Sequence, residues 1–354
     1  MTVKTRYFAI VSLLVVSVGL GTGLVAYYVG FPTSAFVSSG GPEELRYLPS
    51  TSTVVAFADV REVMTSELRQ RFRESVLQGA QESGQREFQE QTGINIETDI
   101  DRVVAGLDVT SGGTANFNGS GIVLARGRFD EVRIEALMRE HGAHVDAYKG
   151  KRLITTEAKI PVPPSSDSTF PVPAVPPVPS SPQSFSLSFV EPGLVAVGTT
   201  TLVQHVVDLH SGGGESALTN EGLMEHIRTF GNGNVWAVGR FDVLRARSKI
   251  PDAIADRIPP ITWFSVNGRI DSGLQAALSA ETRDEESAKN LRDVVRGFLA
   301  LAKLQTSTKP EYQRFVDSLQ LTGTGNTVAL SVEIPAQVFE ALRAAMPKPP
   351  PRKE

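Results

Sequence analysis

The chain has 354 residues, 41% of them hydrophobic and 21% charged, and a formal net charge of −4. That balance leaves no basic excess with which to hold nucleic acid, so no nucleic-acid partner is expected. Cysteine is absent, which excludes disulfides, thiol nucleophiles, iron–sulfur clusters and thiolate zinc sites.

Residues 1–6 carry Lys4 and Arg6, and an uncharged run follows from Tyr7 to Val29. About 20 apolar residues in a helix cross a bilayer core about 30 Å thick, so residues 7–29 are expected to be a transmembrane anchor. Positive charge stays on the cytoplasmic side. The N-terminus is therefore expected in the cytoplasm and the bulk of the chain outside, as a single-pass inner-membrane protein. The apolar run exceeds the ~7–15 residues of a cleaved signal peptide, and its end lacks a small-x-small cleavage site. Gly19, Gly21 and Gly23 spell GLGTG, but no acidic residue follows in a strand about 20 positions on, as a dinucleotide site requires. Glycines of a membrane helix explain them better, with Gly19 and Gly23 also matching the small-xxx-small pairing pattern.

Residues 30–44 are rich in Gly, Ser and Pro and read as a flexible stalk. Thr53–Val60 is β-branched and apolar, a strand. A long helix is expected over Arg61–Gln91, with Met64, Leu68, Phe72 and Val76 on its buried face and a break near Gly79 and Gly84. Thr98 is expected to cap a short helix over Asp99–Ala105, and Thr110–Gly119 is a turn. Gly121–Phe129 reads as a strand, after which Asp130 caps a helix to Glu140 carrying Ile134, Leu137 and Met138. Val145–Tyr148 and Arg152–Thr156 are strands joined at Lys149-Gly150.

Ile160–Gln183 is dense in proline, which fixes φ and lacks an amide proton, so it is neither helix nor central strand. Strands resume at Phe185–Val190 and Leu194–Val197, so this run is expected to be a polyproline-like loop inserted into a hairpin. Helices follow over Thr200–Leu209 and from Asn220 to Phe230. Next come a strand at Asn234–Phe241, a cap at Asp242 with a helix, and strands at Ile261–Ile270 and Leu274–Glu281. Asp284–Gln305 is the strongest helix, with Leu291, Val295, Phe298 and Ala302 joined by Val294 and Leu301 in a 3.6 period. A helix from Pro310, a strand near Thr327–Ile334 and a last helix over Ala336–Ala345 close the fold, and residues 346–354 form a disordered Pro-rich tail.

The phrase Gly-Arg-Phe-Asp occurs at 127–130 and again at 239–242, each time after an apolar strand. It reads as a strand–cap–helix unit and divides the chain into two related lobes, 45–215 (with the Pro-rich loop 160–183) and 216–345. The expected fold class is α+β: an N-terminal transmembrane helix, then two related lobes of mostly antiparallel sheet with packed helices. The segments LRYLPSTSTVVAFADVREVM at 45–64, ETDIDRVVAGLD at 97–108, GIVLARGRFDEVRIEAL at 121–137 and NLRDVVRGFLALAKLQ at 290–305 resemble a family of uncharacterised bacterial proteins. The resemblance implies a single membrane anchor and an extracytoplasmic α+β region, and no functional residue follows from it.

The sequence assigns no catalytic, cofactor-binding or metal-ligating residue. His141, His144 and Asp146 cluster, but a solvated helix end with His141 complementing the dipole explains them better than a metal. His205 and His210 diverge on a helix, and His226 is isolated. The run Asn95–Asp101 fails the calcium-loop pattern, with Ile100 where glycine is needed and Gly106 where glutamate is needed. No nucleophile elbow and no phosphate-binding loop is present. Arg128 and Arg240 could pair on a ligand, although exposed strand-end arginines are the plainer reading. The expected role is a non-enzymatic binding or scaffold function in the cell envelope, with a protein or cell-wall partner. The alternatives are an envelope hydrolase with an unrecognised site, or a small-ligand sensor that closes its lobes.

Overall fold

Twelve strands form one antiparallel sheet in the computed structural model, which describes residues 41–76, 89–108, 120–158, 183–247, 259–306 and 310–335. The first half supplies β1 (Val54–Ala58), β2 (Ile100–Asp108), β3 (Ser120–Gly127), β4 (His144–Tyr148), β5 (Lys151–Ala158), β6 (Gln183–Glu191) and β7 (Leu194–Thr199). The second supplies β8 (Val235–Arg240), β9 (Ile261–Ile270), β10 (Gly273–Thr282), β11 (Gln320–Thr322) and β12 (Thr327–Pro335). Their order is β11-β12-β10-β9-β8-β1-β2-β3-β7-β6-β5-β4. The fold is therefore α+β.

The first strand stands in the middle. β1 pairs with β2 on one side and β8 on the other, with Ala56 opposite Ala105 and Ala237. The described parts of residues 45–215 and of residues 216–335 thus contribute to one unbroken sheet. From the β1–β8 seam, β1-β2-β3 runs outward one way and β8-β9-β10 the other, so the two triplets sit in mirrored order about an antiparallel pair.

Helices cover the faces because each strand shows one apolar side. A short 3-10 helix, Glu43–Tyr47, lies with α5 (Thr200–His210) and α6 (Glu221–Phe230) over one face. Their Leu45, Val203 and Ile227 meet Val55, Ile122, Leu124 and Trp236 of the sheet. On the opposite face, α4 (Glu131–Glu140) brings Ile134 against Val103, Ala125 and Ile154. There too α1 (Val60–Thr65) and α2 (Glu67–Val76) bring Val63 and Leu68 onto Val235, Ile270 and Leu274. Further helices among the described residues include α3 (Ile96–Asp99), α7 (Phe241–Arg247), α8 (Glu285–Thr306) and α9 (Pro310–Asp317).

Several local expectations need correction. The long helix breaks at Ser66, not first at Gly79. Ser66 adopts extended backbone, its hydroxyl donates to Val63 O at 2.7 Å, and it accepts from Arg69 N at 3.2 Å. A side chain that satisfies both helix ends makes a stable break. Thr98 caps nothing. Asn95 caps α3 by accepting from Glu97 N, and Ile100–Asp108 is a strand whose Val103 and Val104 are buried on opposite faces. Asp242 lies inside α7 and accepts from Arg240 and from its neighbour Val243 N, so it does not repeat the Asp130 cap, which accepts from Arg133 N at 3.0 Å. β11 is a short additional strand, paired with β12 just after α9. The Pro-rich loop lies outside the described residues, but its flanks pair directly, Ala158 opposite Gln183, as an insertion in a hairpin requires. Residues 7–29, the turn at 110–119, the glycines at 79 and 84, the expected last helix 336–345 and the tail also lie outside the described residues.

Candidate functional site

Three clusters of side chains stand out, and the first is polar and centred on a buried carboxylate. Glu44 is fully buried where the described chain begins. Its Oε1 accepts from Arg102 Nε at 2.9 Å and from Arg126 Nε at 2.5 Å, and its Oε2 is buried with no hydrogen-bond partner among the described residues. Arg102 also donates to Glu43 at 2.8 Å, and Arg126 to Glu191 at 2.7 Å. Tyr47 donates to Glu191 at 2.9 Å, with Arg46 3.8 Å from the same carboxylate. Burial pushes the Glu191 carboxyl up, but the Arg126 and Tyr47 hydrogen bonds outweigh it and hold it below the usual carboxylate range. Three carboxylates and three guanidinium groups balance here. No local pattern signals it, because Arg102 and Arg126 come from β2 and β3 while Glu43, Glu44 and Arg46 lie in the 3-10 helix far earlier in the chain.

His226 heads the second cluster. Its Nε2 lies 2.8 Å from Glu281 Oε2, its Nδ1 lies 2.8 Å from Gly222 O, and its ring stacks on Trp263 at 4.2 Å. Both ring nitrogens face acceptors. A catalytic imidazole needs one nitrogen free to take a proton from a nucleophile, and this ring offers none. The Arg240 guanidinium lies 5.7 Å from the Trp263 ring centre and holds Asp242 through two bonds, which keep that carboxyl below its usual range.

The residues considered from sequence do not assemble. Arg128 donates to Thr98 O and to Asp99. In the ladder, Gly239 lies level with Val54, Leu107 and Gly121, so Arg240 sits at the other end of the sheet from Arg128, which is seven residues beyond Gly121. That span is about 23 Å of strand, and the two arginines form no joint site. His141 bonds Leu137 O at the end of α4, and His144 opens β4. His210 meets the Tyr47 ring at 5.9 Å. Among the described residues no group of three or more His, Asp or Glu side chains is placed to hold a metal ion.

The third cluster is apolar and lies on α8. Asp284 caps this helix by accepting from Ser287 N at 2.7 Å. Its inner side is docked by Ala288, which is fully buried, and by Arg292, which donates to Gly325 O and Thr327 O. Lys303 ties its far half to Asp317 of α9 at 3.0 Å. The opposite side carries Val294, Phe298 and Leu301, spaced so that they share one face. Their exposures are 43%, 67% and 50%. Three side chains this open leave roughly 300 Å² of apolar surface, in the range of a soluble protein's largest patch. Gly297 lies between them, and a Cβ there would meet no described residue within 4 Å.

No protein-family model, curated protein or solved structure matches this chain. Among the described residues no helix is long and apolar enough to cross a membrane, and residues 7–29 lie outside them.

Proposed function

We propose that this chain is a membrane-anchored, extracytoplasmic protein with a non-enzymatic binding or scaffold role in the cell envelope. Residues 7–29 hold it in the inner membrane with the N-terminus inside, and its two related lobes share one sheet. The observation that carries the binding role is the apolar face of α8. A helix docked on one side that also presents Val294, Phe298 and Leu301 outward is built to be covered. The family resemblance supports the same topology.

Neither alternative gains a specific observation. A hydrolase needs a proton acceptor beside a nucleophile, and His226 faces a carbonyl and a carboxylate instead. A sensor that closes two lobes needs a hinge, whereas five residue pairs of the β1–β8 ladder join the halves.

The test is membrane fractionation with protease added to intact spheroplasts, followed by purification of the full chain with its associated proteins. The expected result is a carbonate-resistant membrane protein, cut from outside, that recovers the same protein or cell-wall partner in each preparation. A chain that carbonate extracts, or that outside protease leaves whole, would overturn the topology. Recovery of nothing reproducible, other copies of the chain included, would overturn the binding role.

A further inference from the structure

We propose that the exposed face of α8 is where two copies of this chain pair, their helices antiparallel about a two-fold axis between Gly297 and Phe298. The proposal rests on the binding role above and names the partner.

Self-complementarity favours a second copy over other occupants. An isologous contact requires one strip to fit itself in reverse order. Placed antiparallel about that axis, Phe298 of one copy lies over Gly297 of the other, and Val294 lies over Leu301. Each bulky side chain thereby meets a gap or an apolar partner of matching reach. Gly297 gains a purpose in this arrangement. Glycine inside a helix is destabilising, and no neighbour among the described residues requires it, because the space in front of it is open to them. Close approach of a second helix does require it.

Charge agrees with the same occupant. Asn290, Leu291, Val294, Gly297, Phe298 and Leu301 form an uncharged strip. Asp293 and Arg296 stand outside it and pair with each other at 2.9 Å. Pairing two strips therefore buries no charge, and antiparallel helices oppose their dipoles.

Area sets the strength. Two such faces with a polar rim bury on the order of 1,000 Å², at the lower edge of specific interfaces. Pairing is therefore reversible in dilute solution and strengthened where an anchor confines both copies to one membrane.

The absence of cysteine gives a direct test. Gly297→Cys, Phe298→Cys and Arg296→Cys each create a single thiol in the full chain, expressed in its membrane and oxidised with copper–phenanthroline. Covalent dimer is expected at positions 297 and 298, at least fivefold above position 296, which points away from the strip. Adding Leu301→Asp to either cross-linking variant is expected to lower the yield at least fivefold. Because Leu301 is half exposed, unchanged protease resistance of that variant separates loss of pairing from loss of fold. Equal yields at all three positions, or none at 297 and 298, would overturn the pairing. If carbonate-washed membranes still hold the chain and another protein co-purifies with it, the binding role survives and only the second copy falls. If carbonate extracts the chain, the topology falls with it.

Discussion

Removing the buried Glu44 carboxylate should weaken the fold well beyond the loss of an ordinary surface ion pair. In Glu44→Ala, Arg102 and Arg126 lose their shared acceptor at 2.9 and 2.5 Å. Their side chains are only 34% and 19% exposed, so water replaces the lost carboxylate poorly. Breaking a buried pair by removing one partner costs about 3–5 kcal/mol. The lower end applies because Arg102 keeps Glu43 at 2.8 Å and Arg126 keeps Glu191 at 2.7 Å. The expected loss is therefore about 3 kcal/mol, or roughly a 6 °C fall in Tm for a chain of this size. Glu43→Ala is the control. Its side chain is 50% exposed, so its pairs should contribute under about 1 kcal/mol. Thermal unfolding of the full chain in detergent, followed by circular dichroism, measures both. Glu44→Ala within about 0.5 kcal/mol of the parent would refute the reasoning, because it would mean that Glu43 and Glu191 alone satisfy both arginines.

Trp236 is 2% exposed and stacks on Phe57 at 5.5 Å, so Trp236→Ala should cost about 3–5 kcal/mol by denaturant unfolding. The two Gly-Arg-Phe-Asp phrases should respond unequally: Asp130→Ala loses a helix cap worth about 1 kcal/mol, whereas Asp242→Ala loses an exposed ion pair and costs less. Equal losses in thermal melts would contradict the difference in their geometry. Gly198→Ala places a Cβ 2.3 Å from Gly121 O, a backbone atom that must shift, so about 1–3 kcal/mol of destabilisation is expected. Glu191 has a lowered folded-state pKa, so its contribution is present above the ordinary carboxylate range and lost as pH falls through the depressed value. The stability gap between the parent and Glu191→Gln should therefore narrow on acidification, and a gap independent of pH would remove the electrostatic explanation.

Local chemistry made some of this fold readable and left the rest hidden. Asp130 and Asn220 announce their helices because a cap acts within three residues. Lys149-Gly150 announces its hairpin because both residues take positive φ, 47° and 78°. Ile100–Asp108 misled for the opposite reason: Asp101 and Arg102 interrupt its alternation, and only pairing with β1 and β3 makes it a strand. The β1–β8 seam joins residues far apart in the chain, so no local pattern could place β1 at the centre. Glu44 was hidden likewise, since its arginines stand 58 and 82 residues away. The helical period of α8 was legible, but not which side would be covered, because Val295 and Leu299 lie on one side and Val294, Phe298 and Leu301 on the other.

The polar clusters and the apolar strip point the same way when considered together. A site for an anionic substrate leaves a cation waiting for it. Here Arg46, Arg102 and Arg126 sit on the carboxylates around Glu191 and Glu44. Arg128 sits on Asp99, Arg240 on Asp242, and Lys149 on Asp208. Lys149 holds the Asp208 carboxyl below its usual range, and in turn that carboxylate raises the lysine. An incoming anion would have to displace a carboxylate at each of these places. Covering the strip on α8 displaces only water, which is favourable in proportion to the apolar area removed. The proposed association through α8 would therefore draw on the hydrophobic effect without breaking any of these ion pairs.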